Sequence, residues 1–281
     1  MKKNYSAALA ITVLTLLINV SQNIFAQSCW SALGSGLGTD TDGVQALVEY
    51  NGQLIAGGVF KTAGGVPANN IAAWNGTSWS AMGAGFNTFH DRYTGNFSVF
   101  ALAVYNGELY AGGQFDSSGG VFTRGIAKWN GTTWQPVGGG INGRVFSGND
   151  SANAAIHAMA VYNGELYVSG NFTGAGGVAA QEIAKWNGTS WSAVAAGLAT
   201  GEFNSERDVI ALVVGNNKLY AGGSFKNASG IYAKNIAEWN GSSWAALGAG
   251  LGNDTGGRGG VSSIVFYQGN ICAAIVTSDG Q

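Results

Sequence analysis

The stretch that decides the fold is ALAVYNGELYAGGQF at residues 101–115, followed by IAKWNGTTWQPVGGGI at 126–141. Two β-prone apolar runs flank Asn106 and Gly107, and Asn-Gly supplies the positive φ at both central positions of a type I′ hairpin turn. A third run ends at Trp129, a second Asn-Gly follows at 130–131, and a fourth run opens at Trp134. The segment therefore predicts four antiparallel strands in a meander, with two-residue turns inside both hairpins. Residues 101–105 are almost continuously apolar, which suits a sheet covered on both faces.

The same pattern recurs along the chain. The first block returns as ALVEYNGQLIAGGVF at 46–60, AMAVYNGELYVSGNF at 158–172 and ALVVGNNKLYAGGSF at 211–225. The second block returns from Ile71, Ile183 and Ile236, with its leading tryptophan at Trp74, Trp129, Trp186 and Trp239. A period of 53 to 57 residues fits one four-stranded unit plus its loops. A lone meander with two apolar faces must stack on its neighbours, and radial stacking of such sheets is a β-propeller. The expected fold is thus all-β: a β-propeller of four-stranded antiparallel blades, at about 44–86, 99–141, 156–198 and 209–251. CWSALGSGL at 29–37 matches the end of a repeat and SSIVFYQGNICAAIV at 262–276 matches the start. Joined, 29–37 and 261–277 would make a split fifth blade in which the N-terminal strand closes the ring and hides the sheet edges.

The pattern AGGxF…GG…IAxWNGxxWxxLGxGL resembles kelch-like and galactose-oxidase-type propellers. It looks closer to the repeats of secreted Bacteroidota propellers and of fungal Rax2-type cell-surface proteins. The resemblance covers nearly all of 27–281 and implies a surface or secreted module. It implies no particular activity, because propellers host many unrelated functions.

Composition narrows the partners. Of 281 residues, 47 are glycine, only 10% are charged and 46% are hydrophobic, so the chain can bury a core and is not of the disordered class. A formal net charge of −2 offers no field for nucleic acid or anionic lipid. Lys2 and Lys3 precede an apolar stretch over 7–20 and a small-residue site ending at Ala26, which reads as a signal peptide over 1–26. The expectation is a single domain over 27–281, secreted or at the cell surface, with no membrane insertion after cleavage. Its partner would be an extracellular protein or glycan, and the chain itself a monomer without a cofactor.

Candidate chemistry competes with structural duty. Each of the nine tryptophans occupies a repeat position, so they are expected to pack between blades rather than to form a sugar platform. Asp40-Thr41-Asp42-Gly43 opens like a calcium loop but lacks the later ligands, and His90 and His157 stand in different repeats without a partner at zinc spacing. Cys29 aligns with Ser78 and Cys272 with Ile55. In a complete blade a third strand would part them by about 9.6 Å, beyond the disulfide limit, so free thiols are expected. No nucleophile elbow or triad spacing appears.

An even number of antiparallel strands returns the chain to its starting side, so every link between blades should emerge opposite the Asn-Gly turns. Those links hold His90, Asp91, Arg92, Tyr93, Arg144, Phe146, Phe203, Glu206 and Arg207. Charged and aromatic side chains on loops held by a rigid scaffold are the expected binding residues. The alternative reading is a carbohydrate-active or other hydrolytic enzyme with Asp91, Glu202, Glu206 and Asp208 as its acidic candidates, two of which would meet across loops, or a purely structural repeat.

Overall fold

A computed structural model describes residues 31–38, 43–87, 98–143, 154–199, 209–252 and 260–276, and every regular element among them is a β-strand. Four sheets have the expected four strands. Sheet I comprises Gly43–Tyr50, Gln53–Val59, Ile71–Trp74 and Trp79–Ala81; sheet II comprises Ser98–Tyr105, Glu108–Gln114, Ile126–Trp129 and Trp134–Pro136. Sheet III comprises Ala155–Tyr162, Glu165–Asn171, Ile183–Trp186 and Trp191–Ala193, and sheet IV comprises Val209–Gly215, Lys218–Gly223, Ile236–Trp239 and Trp244–Ala246. Sheet V has two strands, Gly260–Tyr267 and Asn270–Val276. All neighbouring strands within these sheets run antiparallel, and the leading strand of each sheet packs on that of the next.

The first hairpin of each repeat is the two-residue turn read from the sequence. Asn51, Asn106 and Asn163 adopt φ near +50° with glycine following, and Tyr50 pairs with Gln53 across the turn. The second hairpin differs from the expectation. Trp74 pairs with Trp79, so the loop has four residues, and the asparagine is not in the left-handed region. Asn75 Oδ1 instead accepts from the backbone N–H of Thr77 and Ser78, each at 2.9 Å. Asn130, Asn187 and Asn240 do the same. An asparagine side chain that mimics a backbone turn uses the Asn-Gly-Thr/Ser sequence differently from a type I′ turn.

Between the second and third strands sits a small hairpin, such as Thr62–Ala63 with Val66–Pro67 and Ser117–Ser118 with Val121–Phe122. The tail of the preceding repeat pairs with it: Asn87 bridges Ser117, Ile141–Asn142 pairs with Gly174–Ala175, and Leu198–Ala199 pairs with Asn227–Ala228. The N-terminal segment makes this same contact on sheet I, where Leu37 bridges Ala63 and Gly64 N–H donates to Gly36 O at 2.8 Å. The expected split blade of 29–37 with 261–277 is not made by the described residues. Residues 33–38 lie against sheet I as a preceding repeat's tail, and sheet V keeps two strands. Cys272 is a free, exposed thiol, while Cys29 and Trp30 lie outside the described residues.

The tryptophans do the packing assigned to them. Trp79, Trp134, Trp191 and Trp244 are buried, as are Trp186 and Trp239, while Trp74 and Trp129 are half-buried. The second tryptophan of a repeat reaches back to the preceding tail: Trp79 Nε1–H donates to Leu33 O at 2.9 Å, Trp134 to Met82 O at 3.0 Å and Trp191 to Val137 O at 3.3 Å. The first tryptophan lies over the next tail residue, so that a Cβ at Gly34 would stand 3.3 Å from Trp74 and one at Gly83 3.1 Å from Trp129. Between sheets III and IV that glycine is replaced by Ala195, held at φ +52°, and there Trp244 Nε1 is buried without a hydrogen-bond partner.

Near the type I′ turns, cross-strand ion pairs recur: Lys128 with Glu108 at 2.9 Å and Lys185 with Glu165 at 2.8 Å. Sheet IV exchanges the two charges and keeps the pair, Lys218 with Glu238 at 2.6 Å. Tyr110 Oη donates to Glu108 Oε2 at 3.1 Å, and burial, reinforced by that carboxylate, pushes its pKa from 10.0 up to about 12. Burial also raises Tyr167, and the hydrogen bond that Lys185 donates to Glu165 raises Lys185.

Three outcomes are expected. Trp134→Phe removes the donor and leaves a phenyl where a buried indole was, costing about 2–4 kcal/mol in urea unfolding, whereas Ala195→Gly relieves a left-handed alanine and adds about 1 kcal/mol. The folded state holds the Tyr110 proton more tightly than the unfolded chain. Its contribution is therefore complete below pH about 10 and is lost as pH rises toward about 12. Unfolding curves across that window should show stability falling less steeply in Tyr110→Phe than in the unaltered protein.

Candidate functional site

Each leading strand begins on the side away from its type I′ turn, and each tail ends on that same side, because the four strands alternate in direction. The ends of every inter-sheet link are thus on one side of the array, with the small hairpins beside them. The residues expected to bind, His90, Asp91, Arg92, Tyr93, Arg144, Phe146, Phe203, Glu206 and Arg207, all lie within the links and outside the described residues. So do Asp91, Glu202, Glu206 and Asp208 of the hydrolytic alternative.

The described residues add a feature at the inner edge of this side. Every leading strand carries one extra residue at the same register: Gln45 between Val44 and Ala46, then Phe100, His157, Ile210 and Ser262. Such bulges bend a strand and re-aim a side chain. Here they set five chemically different side chains at equivalent points of five sheets. Phe100 and His157 come together as stacked rings, 5.0 Å between centroids and 8° apart in plane.

The paired glycines of the repeat are what permit this geometry. The second glycine faces the bulge, so that a Cβ at Gly58, Gly113 or Gly170 would collide with the carbonyl oxygen of Gly43, Ser98 or Ala155. The first glycine lets the next sheet approach: a Cβ at Gly57 would lie 2.5 Å from Val99 Cγ1, and one at Gly112 2.7 Å from Ile156 Cγ2.

Toward the outer edge the small hairpins expose an apolar pair in each repeat, Val66 with Pro67, Val121 with Phe122, Val178 with Ala179 and Ile231 with Tyr232. Phe122 is 59% exposed and Tyr232 55%, more than single surface apolar residues need to be. Polar side chains beneath the hairpins serve the scaffold. Asn70 is buried, accepts from Phe60 N–H at 3.2 Å and donates to Phe86 O at 3.0 Å; Asn235 donates to Leu251 O at 2.7 Å.

The bulge residues have a signal in the sequence. Aligned on the repeat, Val44, Val99, Ile156, Val209 and Val261 keep one side-chain type, whereas the residue that follows each is Gln, Phe, His, Ile or Ser. Constant flanks around a variable position mark a fixed backbone presenting a free choice of side chain. The exposed hairpin pairs lie in the connections between the second and third strands of each repeat, which the alternation of strand direction puts on this same side.

Comparison with known proteins assigns no family: no protein-family description matches the chain, and neither does any curated protein. Among solved structures it is similar to the extracellular domain of a putative one-component system of B. thetaiotaomicron, with 10% identity and a TM-score of 0.39, over 85% of this chain and 32% of that one. It is also similar to the computationally designed Ika8 protein, with 14% identity and a TM-score of 0.39, over 82% of this chain and 54% of that one. The chain therefore spans about a third of the first structure and about half of the second.

Replacing Gly113 by Ala should cost about 1–3 kcal/mol, because the new Cβ meets backbone that cannot move aside. Phe100→Leu keeps the bulge and forfeits only the ring stack, about 1 kcal/mol. Thermal unfolding of the two variants separates the backbone's demand from the side chain's.

Proposed function

We propose that this chain is an exported, kelch-like β-propeller module that binds an extracellular protein or glycan on its link side. In this reading sheets I to V are blades, their leading strands line the axis, and the bulge residues surround its mouth. The observation that carries the reading is the segregation of the two sides. One side holds the short type I′ and asparagine-capped turns, repeated with little change. The other holds the link ends, five non-equivalent bulge side chains and the exposed pairs at Val121-Phe122 and Ile231-Tyr232. A rigid scaffold with its variable and apolar groups gathered on one side is built for recognition.

Export rests on Lys2, Lys3, the apolar stretch over 7–20 and the site at Ala26. No helix among the described residues is long and apolar enough to cross a membrane. The scaffold needs no cofactor for binding, and the modest net charge of −2 favours a neutral or weakly charged surface over nucleic acid.

A glycan array, followed by capture of proteins from the surface of the source cell, identifies the ligand class. With a ligand in hand, joint charge reversal of Arg92 and Arg207, and separately Phe122→Ser with Tyr232→Ser, should each weaken binding by about tenfold or more. Melting temperature should stay nearly constant, because surface changes seldom exceed about 0.5 kcal/mol. Undiminished binding in both variants removes the link side from consideration.

A further inference from the structure

Among the described residues, charge in the first three strands of sheets I to V is confined to the end nearest the type I′ turns: Glu49 adjoins one turn, and the three cross-strand ion pairs occupy the others. Toward the link side the same strands carry none. The bulge positions there hold Gln45, Phe100, His157, Ile210 and Ser262, no one of which bears a permanent charge. Lys61, Asp116 and Arg124 belong instead to the connections around the small hairpins. Because each leading strand packs on the next, the bulge residues follow one another in an arc, at one register and in chain order. Phe100 is its flat surface. His157 covers the ring face turned to sheet III, which leaves the opposite face toward sheet I and Gln45. A Cβ at Gly43 would stand 4.0 Å from Gln45 Nε2, so that amide reaches the link end of its strand. Gln45 is exposed, and Phe100 and Ser262 are half-buried. Ser262 Oγ donates to Ala274 O at 3.3 Å and keeps its acceptor capacity.

We infer that this arc is a subsite for an uncharged sugar, with one pyranose ring seated on Phe100 and its hydroxyl groups read by Gln45. Such a ring has a face of C–H groups and a rim of hydroxyls, so it needs an apolar plane beside neutral donors and acceptors. Phe100 supplies the plane. The Gln45 amide both donates and accepts, and its neighbour on the arc is that ring. A carboxylated or sulfated sugar is disfavoured, because its charge would be desolvated against side chains that return no opposite charge. The bulges also hold the groups in place, since each is set by backbone that a glycine faces, at Gly58, Gly113 and Gly170. Five identical side chains would present the same chemistry all along the arc. Five different ones give it direction, which is what distinguishing one hydroxyl pattern from another requires. The inference rests on the link side being the binding side, and it narrows the ligand there to a neutral glycan.

NMR titration of the full chain tests it, with the ring signals of Phe100 and His157 assigned from Phe100→Leu and His157→Asn. The probes are linear hexasaccharides of glucose, mannose and galactose, and hexagalacturonate as the acidic counterpart. At least one neutral hexasaccharide should shift both rings saturably, and hexagalacturonate should leave them in place. Phe100→Leu and Gln45→Ala should each weaken that binding by about tenfold. Gln45 is exposed, so its replacement leaves the fold intact, and thermal unfolding checks both variants. Three results overturn the subsite and spare the link side as a binding surface. The first is sugar binding that ignores Phe100→Leu and Gln45→Ala but is lost in Phe122→Ser with Tyr232→Ser. The second is hexagalacturonate shifting the two rings as strongly as any neutral probe. The third is no shift with any hexasaccharide while a captured surface protein binds and is released by the Arg92 and Arg207 charge reversal. A ligand whose binding survives every one of these changes overturns the subsite and the link-side reading together.

Discussion

The hydrogen bond from one tryptophan indole to the preceding repeat's carbonyl is the constraint on which the rest depends. Trp134 spans from sheet II to Met82 O, and Trp191 from sheet III to Val137 O. An indole buried between sheets must find an acceptor or carry an unmet donor, and a tail carbonyl of the preceding repeat is that acceptor for Trp134 and Trp191, while Trp244 is left with the unmet donor. Where it is made, the bond ties a sheet directly to the tail of its predecessor. Glycine at 34, 83 and 138 keeps the paired tryptophan ring close to the tail, and the small hairpins then receive the end of that tail as a third strand or bridge.

From that spacing the shape of the link side follows. Sheets held this close leave room only for a small residue at the first position of each pair, glycine at 57, 112 and 222, where a Cβ would enter the next sheet's valine or isoleucine, and buried serine at 169. The bulge demands the second. Once the backbone is set by glycine and tryptophan, the extra residue of each leading strand is not needed for the backbone geometry, and Gln45, Phe100, His157, Ile210 and Ser262 differ at one register while the sheets keep the same pairing. Structure and variability thus occupy separate residues, which is how a repeat scaffold diversifies a surface while keeping its core.

Much of this was legible in the sequence because the signals were local. Asn106-Gly107 gave its turn, the repeat gave the four-stranded unit, and the tryptophans gave the packing layer. The loop at 75–78 was misjudged because Asn-Gly serves two turn types, and only the hydrogen bonds of Asn75 Oδ1 distinguish them. The tail segments were harder still. CWSALGSGL was recognised as the end of a repeat and assigned to sheet V, yet residues 33–38 are held by sheet I, since a tail's strongest contacts are with the repeat that follows it. The bulges escaped because period-two reading counts residues and cannot register an extra one. The candidate residues in the links, His90 to Tyr93 among them, were placed by topology alone, and topology fixes only the side on which they emerge.

Hydrogen exchange of the indole N–H groups, resolved by NMR, addresses the tryptophan bond most directly. Trp134 and Trp191 should exchange only through opening of the array, at rates reflecting its full stability, whereas Trp244, which finds no acceptor beside Ala195, should exchange about tenfold faster or more. Equal protection of all three would contradict the claim that this bond holds the sheets in register.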